Sequence, residues 1–371
     1  MVNRERLVAE FIELVSIDSI TKMERQMADV LKAKLQGMGI AVFEDSAGKE
    51  IGGNSGNLIC TIKGQKDVPA IILMAHMDRV IPGLGIKPVI EGNVIKSDGT
   101  TILGGDDAAG IECILEAVRA VKENNISHGD IQIAFTIAEE GGLFGARYLD
   151  YSKIYAKYGF VLDSGGTVGT VSVRAPSQYK IDVTVKGKAA HAGIEPEKGI
   201  SAIQIASEAI SNMMLGRIDE ETTANIGVIT GGQATNIVCD MVEIKAESRS
   251  RNQNKLEVQT HHMKKCFEDA AAKFGGRVDY NAELAYPAFE IKEDQPIIPI
   301  LGKASKKIGI ELILEATGGG SDTNIINGKG IQAVNLSVGM EKVHSVEEQI
   351  NINDMVKATE FLIAIIQSVD K

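Results

Sequence analysis

His76 and Asp78 stand two positions apart at the end of an apolar run, "AIILMAHMD", which puts an imidazole and a carboxylate on the same side of an extended chain. Two further runs finish in the same fashion: "IAFTIAEE" ends in Glu139 and Glu140, and "GFVLD" ends in Asp163. Between them "LGGDDAAG" brackets Asp106 and Asp107 with glycine at the entrance to a helix, and much later "GMEKVHSVEE" places His344 just beyond the run "IQAVNLSVG". Imidazole and carboxylate without thiolate is the donor set of an open, catalytic divalent-cation site that suits zinc, cobalt or manganese.

Taken singly, each element has a plainer explanation. Asp163 reads as a turn residue or helix cap, the Glu139–Glu140 pair as a solvated loop, Asp107 as a helix cap, and His344 as a surface residue beside a Ser345/Glu348 capping box. The readings are not independent, because so many carboxylates beyond buried strands repel one another unless a cation neutralises them. Two histidines with three carboxylates exceed the needs of one ion. A pair of ions bridged by one carboxylate fits the count and leaves a glutamate to act as base.

The elements that must position these groups are those of an α/β sheet. Helical periods at 4–16 and 24–36, strand-like runs at 40–44, 57–63 and 70–76, a hairpin in "IKPVIEGNVIKSDG" and a helix near 108–123 lead to the strands that carry Glu139, Glu140 and Asp163. Ligands of open α/β sheets sit beyond the carboxyl ends of the strands, so one sheet edge collects the whole set. From about residue 176 the pattern changes. "YKIDVTVKG" alternates with period two, and the order of elements to 286 is β-α-β-β-α-β, with strands near 224–230 and 237–247, the split unit of a ferredoxin-like domain. The alternating style then returns. The expected organisation is a discontinuous large domain, 1–175 and 287–371, with a smaller one, 176–286, inserted into it.

The chain has 371 residues, with 39 Lys and Arg against 50 Asp and Glu, a net charge of -11 that repels a polyanion and argues against nucleic acid as a partner. The N-terminal segment lacks the continuous apolar stretch of a signal peptide or membrane span, so a cytoplasmic protein with no membrane partner is expected. Four cysteines (Cys60, Cys113, Cys239, Cys266) lie far apart without CxxC spacing and read as buried thiols. His128, His261 and His262 match no motif and read as surface residues.

The ordered set HxD, GxDD, EE, an isolated Asp and a late His resembles the di-zinc exopeptidases that include peptidase T, carboxypeptidase G and the aminoacylases. The stretches "TTILGGDDAAG", "HAGIEPEKG", "GGQATNIVCD" and "GGGSDTN" are most similar to the peptidase T-like branch. The resemblance covers essentially the whole chain. It implies a zinc-exopeptidase-like mixed sheet sandwiched by helices, with the ferredoxin-like insert acting as lid and dimerisation domain of a homodimer.

It also implies roles, residue by residue. His76 and Asp163 complete one metal site, Glu140 and His344 the other, and Asp106 bridges them. Asp78 orients the His76 ring, and Glu139 is the general base for the water between the metals. A cis peptide joins Asp106 to Asp107. His191 stabilises the oxyanion from across the dimer, while Asn236 and Arg249 hold the substrate, Arg249 by a bidentate grip on the peptide carboxylate, a role Arg251 could contest. Gly319, Gly320 and Asp322 form part of the site wall.

Arg79 after HxD and Ala108 after the acidic pair depart from the peptidase T-like pattern; neither is an expected ligand, and both lie near enough to the site to alter substrate choice. The resulting expectation is a tripeptidase-like metallo-aminopeptidase holding two divalent ions, zinc first, with cobalt or manganese as substitutes. Its rivals are hydrolysis of another amide by the same metals, as in an N-acyl amino acid deacylase or a carboxypeptidase, and a catalytically silent peptide-binding or dimerising relative.

Overall fold

A computed structural model describes residues 1–370. The chain opens with α1 (Arg4–Val15) and α2 (Arg25–Gly37). Asn3 caps the first, its side chain accepting the Arg6 N–H at 3.0 Å, and Leu7, Phe11, Leu14 and Val15 form its buried stripe. Then come β1 (Val42–Glu44), α3 (Ala47–Ile51), β2 (Leu58–Ile62), β3 (Ile71–His76), the hairpin β4 (Val89–Glu91) and β5 (Val94–Lys96), α4 (Gly105–Glu123), β6 (Ile131–Thr136), α5 (Phe144–Tyr148), β7 (Tyr158–Gly165) and β8 (Thr170–Ala175). The middle of the chain supplies β9 (Ser177–Lys186), α6 (Ala202–Ser211), β10 (Gly216–Arg217), β11 (Thr222–Gly231), β12 (Met241–Ser250), α7 (Gln253–Phe274) and β13 (Arg277–Tyr286). The last stretch holds β14 (Phe289–Glu290), α8 (Ile297–Ile308), β15 (Ile313–Ala316), α9 (Asp322–Gly328), β16 (Gln332–Glu341), β17 (Gln349–Asn351) and α10 (Ile352–Ser368).

Two compact units result. The first comprises Met1–Val173, Glu290–Ala316 and the chain from Ser321 on; the second comprises Arg174–Phe289 together with Thr317–Gly320. The glycine-rich stretch after β15 therefore groups with the inserted segment, a detail that strand and helix periods do not carry.

The first unit is built on a mixed sheet whose main path runs β1-β2-β6-β3-β7-β16-β17-β5-β4. Its centre, β6-β3-β7-β16, is parallel throughout, while the flanking strands pair antiparallel. Every residue of β3 and β6 is buried, as expected of strands covered on both faces. The chain leaves β3 to form β6 on one side and then β7 on the other, so the carboxyl end of β3 is a topological switch point. Helix α4 packs on β3, β7 and β16, and α10 packs on α4 and α8. Gly110 permits the close approach of α4, because a Cβ there would lie 2.3 Å from the Leu162 carbonyl of β7.

The second unit is a five-stranded antiparallel sheet, β10-β11-β12-β9-β13, with α6 and α7 packed on it. Ile181, Val183 and Val185 of β9 meet Ile205, Met263 and Phe267 in its core. Strand β12 starts at Met241, four residues later than its hydrophobic pattern predicts, because Ile237 pairs instead with His191 in an isolated bridge.

Among the described residues no helix is long and apolar enough to cross a membrane. Cys60, Cys113 and Cys239 are buried and Cys266 is half-buried, all as free thiols. His128 is buried, contrary to its expected place on the surface. Its Nδ1 lies 2.6 Å from the Gly129 carbonyl, and its own carbonyl takes the N–H groups of Gln65 and Lys66, which ties the β2–β3 connection to the turn before β6.

Candidate metal centre

Four parallel strand ends deliver the polar groups. His76 is the last residue of β3, Glu139 and Glu140 follow β6, Asp163 lies near the end of β7, and His344 follows β16. Asp106 and Asp107 open α4, with non-helical backbone at both residues and a cis peptide between them.

His76 is buried and fixed in one orientation. Its Nδ1 lies 3.0 Å from the Asp78 carbonyl and 3.5 Å from the Asp78 carboxylate, so the Nδ1 proton points to Asp78 and Nε2 faces the cluster. Orientation thus comes first from the main chain of Asp78. The carboxylate of that residue is engaged elsewhere, accepting the Glu139 N–H at 2.8 Å, the Glu140 N–H at 3.2 Å and the Thr21 hydroxyl at 2.7 Å.

Asp106 stands between the two imidazoles. Its Oδ1 is 3.0 Å from His76 Nε2, and its Oδ2 is 3.2 Å from His344 Nε2. His344 Nε2 is also 2.7 Å from Glu140 Oε1, and His76 Nε2 is 3.8 Å from Asp163 Oδ1. The ligand atoms of His76, Asp106 and Glu140 lie within 4.8 Å of one another, as do those of His76, Asp107 and Asp163. Asp107, however, already accepts the N–H groups of His76 and Gly110 at 3.1 Å, which marks it as a brace for the strand end. Asp163 is braced in turn by Asn335, which accepts its N–H at 2.9 Å and donates to its carbonyl at 2.8 Å.

The electrostatics describe a pocket short of positive charge. Burial, with repulsion from Asp106 and Glu139, holds the Asp163 carboxyl well above its ordinary range. Burial also raises Glu139, and Asp322, Glu140 and Asp78 push it the same way. Burial would raise Asp106 too, but hydrogen bonds from His344 and His76 outweigh it and hold that carboxyl below its ordinary range. Bonds to Asp106 and Glu140 lift His344 to about 10. His76 also rises, its bonds to Asp106 and Asp78 overcoming a burial that would lower it. A pair of divalent cations would supply the missing charge, and the oxygen and imidazole donors fit them.

Residues that the motifs alone did not single out hold this set in place. Glu24, fully buried, accepts the Lys22 N–H at 2.7 Å and the Ala138 N–H at 3.1 Å, both from residues of positive φ. Thr136 donates to Asp322 at 2.6 Å, tying α9 to the end of β6. Glu348 is not a helix cap: it is buried, and its carboxylate accepts backbone N–H groups from the loop that carries Asp106. Apart from Lys22, their partners are distant in sequence, and no periodicity signals them.

Arg79 and Ala108 are both buried, as His76, Asp106 and Glu139 are. The Arg79 guanidinium turns to the end of α1, where it donates to the carbonyls of Leu14, Val15 and Ile17 at 2.7–2.9 Å. Those carbonyls lie at and just beyond the helix end, where a cation suits the negative end of the dipole.

The remaining candidates belong to the second unit, apart from Asp322. His191 is exposed in a turn, and its Nδ1 accepts the Gly193 N–H at 3.1 Å. Asn236 is exposed beside it, its carbonyl accepting the Ala192 N–H at 2.9 Å. Arg249 is half-buried on β12, and its Nε and Nη2 each donate to Glu247 at 2.9 Å. Arg251 donates to the carbonyls of Glu220 at 2.9 Å and Thr317 at 3.5 Å. Gly319 is exposed, whereas a Cβ at Gly320 would lie 2.2 Å from the Tyr286 ring.

Comparison with known proteins places this geometry. The sequence profile of Peptidase family M20/M25/M40 matches residues 72–368. The crystal structure of aminopeptidase PepT from Bacillus cereus is similar over 100% of both chains, with 49% identity and a TM-score of 0.91. A tripeptidase from Staphylococcus aureus matches 99% of this chain and 98% of its own, with 41% identity and a TM-score of 0.94. Peptidase T of Fusobacterium nucleatum is 30% identical over 76% of this chain and 69% of its own length.

Proposed function

The chain belongs to Peptidase family M20/M25/M40, and from that premise we propose that it is a dinuclear metallo-aminopeptidase that removes the N-terminal residue of short peptides, tripeptides foremost. The observation that carries the reading is the division of Asp106 between His76 and His344, 3.0 Å from one and 3.2 Å from the other. In this reading His76 and Asp163 hold one cation, Glu140 and His344 hold the second, and Asp106 serves both. Zinc is the first candidate, and cobalt or manganese would satisfy the same donors. When bound, the cations supply Lewis acidity toward the scissile carbonyl and make water a nucleophile at neutral pH.

Glu139 is the base of the proposed mechanism. It is buried beside the ligands, its N–H is held by Asp78, and burial among other carboxylates raises its proton affinity. It takes a proton from the attacking water and passes it to the departing amine. His191 contributes an oxyanion donor: with Nδ1 accepting from Gly193, the neutral ring carries its proton on Nε2. Asn236 and Arg249 receive the peptide, Arg249 through its carboxylate, and Gly319 and Asp322 belong to the wall. The inserted unit acts as lid and as the contact of a homodimer in which His191 serves the partner's centre. Four free thiols fit a reducing cytoplasmic setting.

The test is a substrate panel on the metal-loaded protein, run beside Glu139→Gln. Turnover of tripeptides that requires a free amino terminus supports the proposal, while preference for N-acyl amino acids or for C-terminal release replaces it with the rival amide hydrolases. Glu139→Gln should keep its metal and lose about 10³-fold in kcat. Turnover equal to that of the wild type refutes Glu139 as base, and a wild-type protein inert on every substrate leaves the silent peptide binder.

A further inference from the structure

The helix that carries the bridging aspartate has no local acceptor for the backbone N–H groups of Leu103, Gly104 and Asp106. Its N-cap position is Gly104, at φ 71°, which has no side chain to offer, and Asp107 caps only the Gly110 N–H, one turn further in. A side chain there is sterically barred as well, because a Cβ at Gly104 would lie 2.7 Å from Arg79 Nε. The backbone N–H groups at the start of the helix need an acceptor all the same.

Glu348 provides it from the far end of the chain. Its Oε2 accepts the N–H groups of Leu103 and Gly104, each at 2.8 Å, and its Oε1 accepts the Asp106 N–H at 3.0 Å. The residue is 1% exposed, so these bonds are made away from water. Its main chain is engaged too: the carbonyl accepts the Ser97 N–H at 3.1 Å, and the N–H donates to the Ser345 carbonyl at 3.1 Å. Ser345 closes the same turn by donating to the Lys342 carbonyl at 2.7 Å. That turn carries His344, whose backbone is left-handed at φ 62°. One side chain therefore fastens the segment that bears His344 to the loop that bears Asp106.

We propose that Glu348 is a positioning residue of the metal centre, setting Asp106 against His344 and thereby tuning one cation position more than the other. The inference rests on the dinuclear reading above. Without Glu348, the site formed by Asp106, Glu140 and His344 has two of its three ligands on loosened segments. The site formed by His76, Asp106 and Asp163 has one. A carboxylate that merely filled the core would affect both alike.

The experiment is zinc titration of the full-length apoprotein, wild type beside Glu348→Gln and Glu348→Ala, with hydrogen exchange at the amides of Leu103, Gly104 and Asp106. Glutamine keeps the volume and one acceptor oxygen, so it holds part of the clamp and carries the test where alanine fails to fold. The expected result is two ions in each folded protein, one bound within about threefold of the wild-type affinity and the other about 10- to 100-fold weaker in alanine, with glutamine between. Exchange at the three amides should rise in the same order. Unchanged affinities for both ions, or an equal loss at both, overturn the proposal. Fewer than two ions on the wild-type protein overturn the dinuclear reading itself, an outcome distinct from failure of the clamp.

Discussion

The backbone N–H of Glu139 donates to the carboxylate of Asp78 at 2.8 Å. The group proposed as base is thus suspended from the residue whose carbonyl orients the His76 ring, and one aspartate sets the spacing of ligand and base. In Asp78→Asn an amide NH2 would confront one of the N–H or O–H donors now satisfied by a carboxylate oxygen. The expected outcome is a loss of about 10²-fold in kcat on a tripeptide, from displacement of the base. Metal affinity should fall by about tenfold, as for other changes behind a ligand. Steady-state kinetics and metal analysis on one preparation check both.

Removal of metal should unload the first unit selectively. Cations that bind only the folded protein stabilise it by about 2.7 kcal/mol when present at 100 times their dissociation constant. Dialysis against chelator should therefore lower the denaturation midpoint and abolish turnover, and added zinc should restore both. In His76→Ala, which keeps the ligands of only one cation position, the midpoint should respond less to zinc than in the wild type. Thermal scans with and without zinc decide this.

Glu24 predicts a dependence of stability on pH. Burial, and then the charge of Asp78, raise its carboxyl from 4.5 to about 7 in the folded protein. A carboxyl with a raised folded value contributes stability below its unfolded pKa, and that contribution is lost as pH rises through the folded one. Between pH 4.5 and 7 the wild type therefore loses on the order of 2–3 kcal/mol that Glu24→Gln does not. Urea denaturation of the two proteins at pH 5 and pH 8 should show the glutamine variant gaining relative stability at the higher pH.

Arg249 enters the proposed function as a carboxylate clamp, and Glu247 already fixes its Nε and Nη2. A substrate carboxylate would then meet the remaining edge of a preoriented guanidinium. Arg249→Ala should raise KM for tripeptides by about 10- to 100-fold, the range set by losing a charged hydrogen bond of roughly 1.5–3 kcal/mol. C-terminally amidated peptides should be nearly insensitive to the substitution. Glu247→Gln, which frees the side chain without removing it, should raise KM only several-fold.

The ends of β3, β6, β7 and β16 were legible because buried parallel strands carry long apolar runs, and a charged residue at the end of such a run stands out. The inserted sheet was legible for the opposite reason, since one wet face makes its strands alternate. What escaped was the set of acceptors that brace the centre. Glu24 bonds to Ala138 and Glu348 bonds to Asp106 across more than a hundred residues, and neither bond leaves a periodic trace. The place of Arg79 was not legible either, because its guanidinium reaches back more than sixty residues to end a helix inside the core. Strand β8 went unread because it follows β7 after a short turn and precedes the change of pattern at the insert.

That same arginine makes the start of the chain part of the chemistry. An expression vector trimmed to begin after α1 would strip the Leu14 and Val15 carbonyls from a cation that has no water to turn to, directly beside Asp78. Such a shortened protein would keep every metal ligand and still lose its centre.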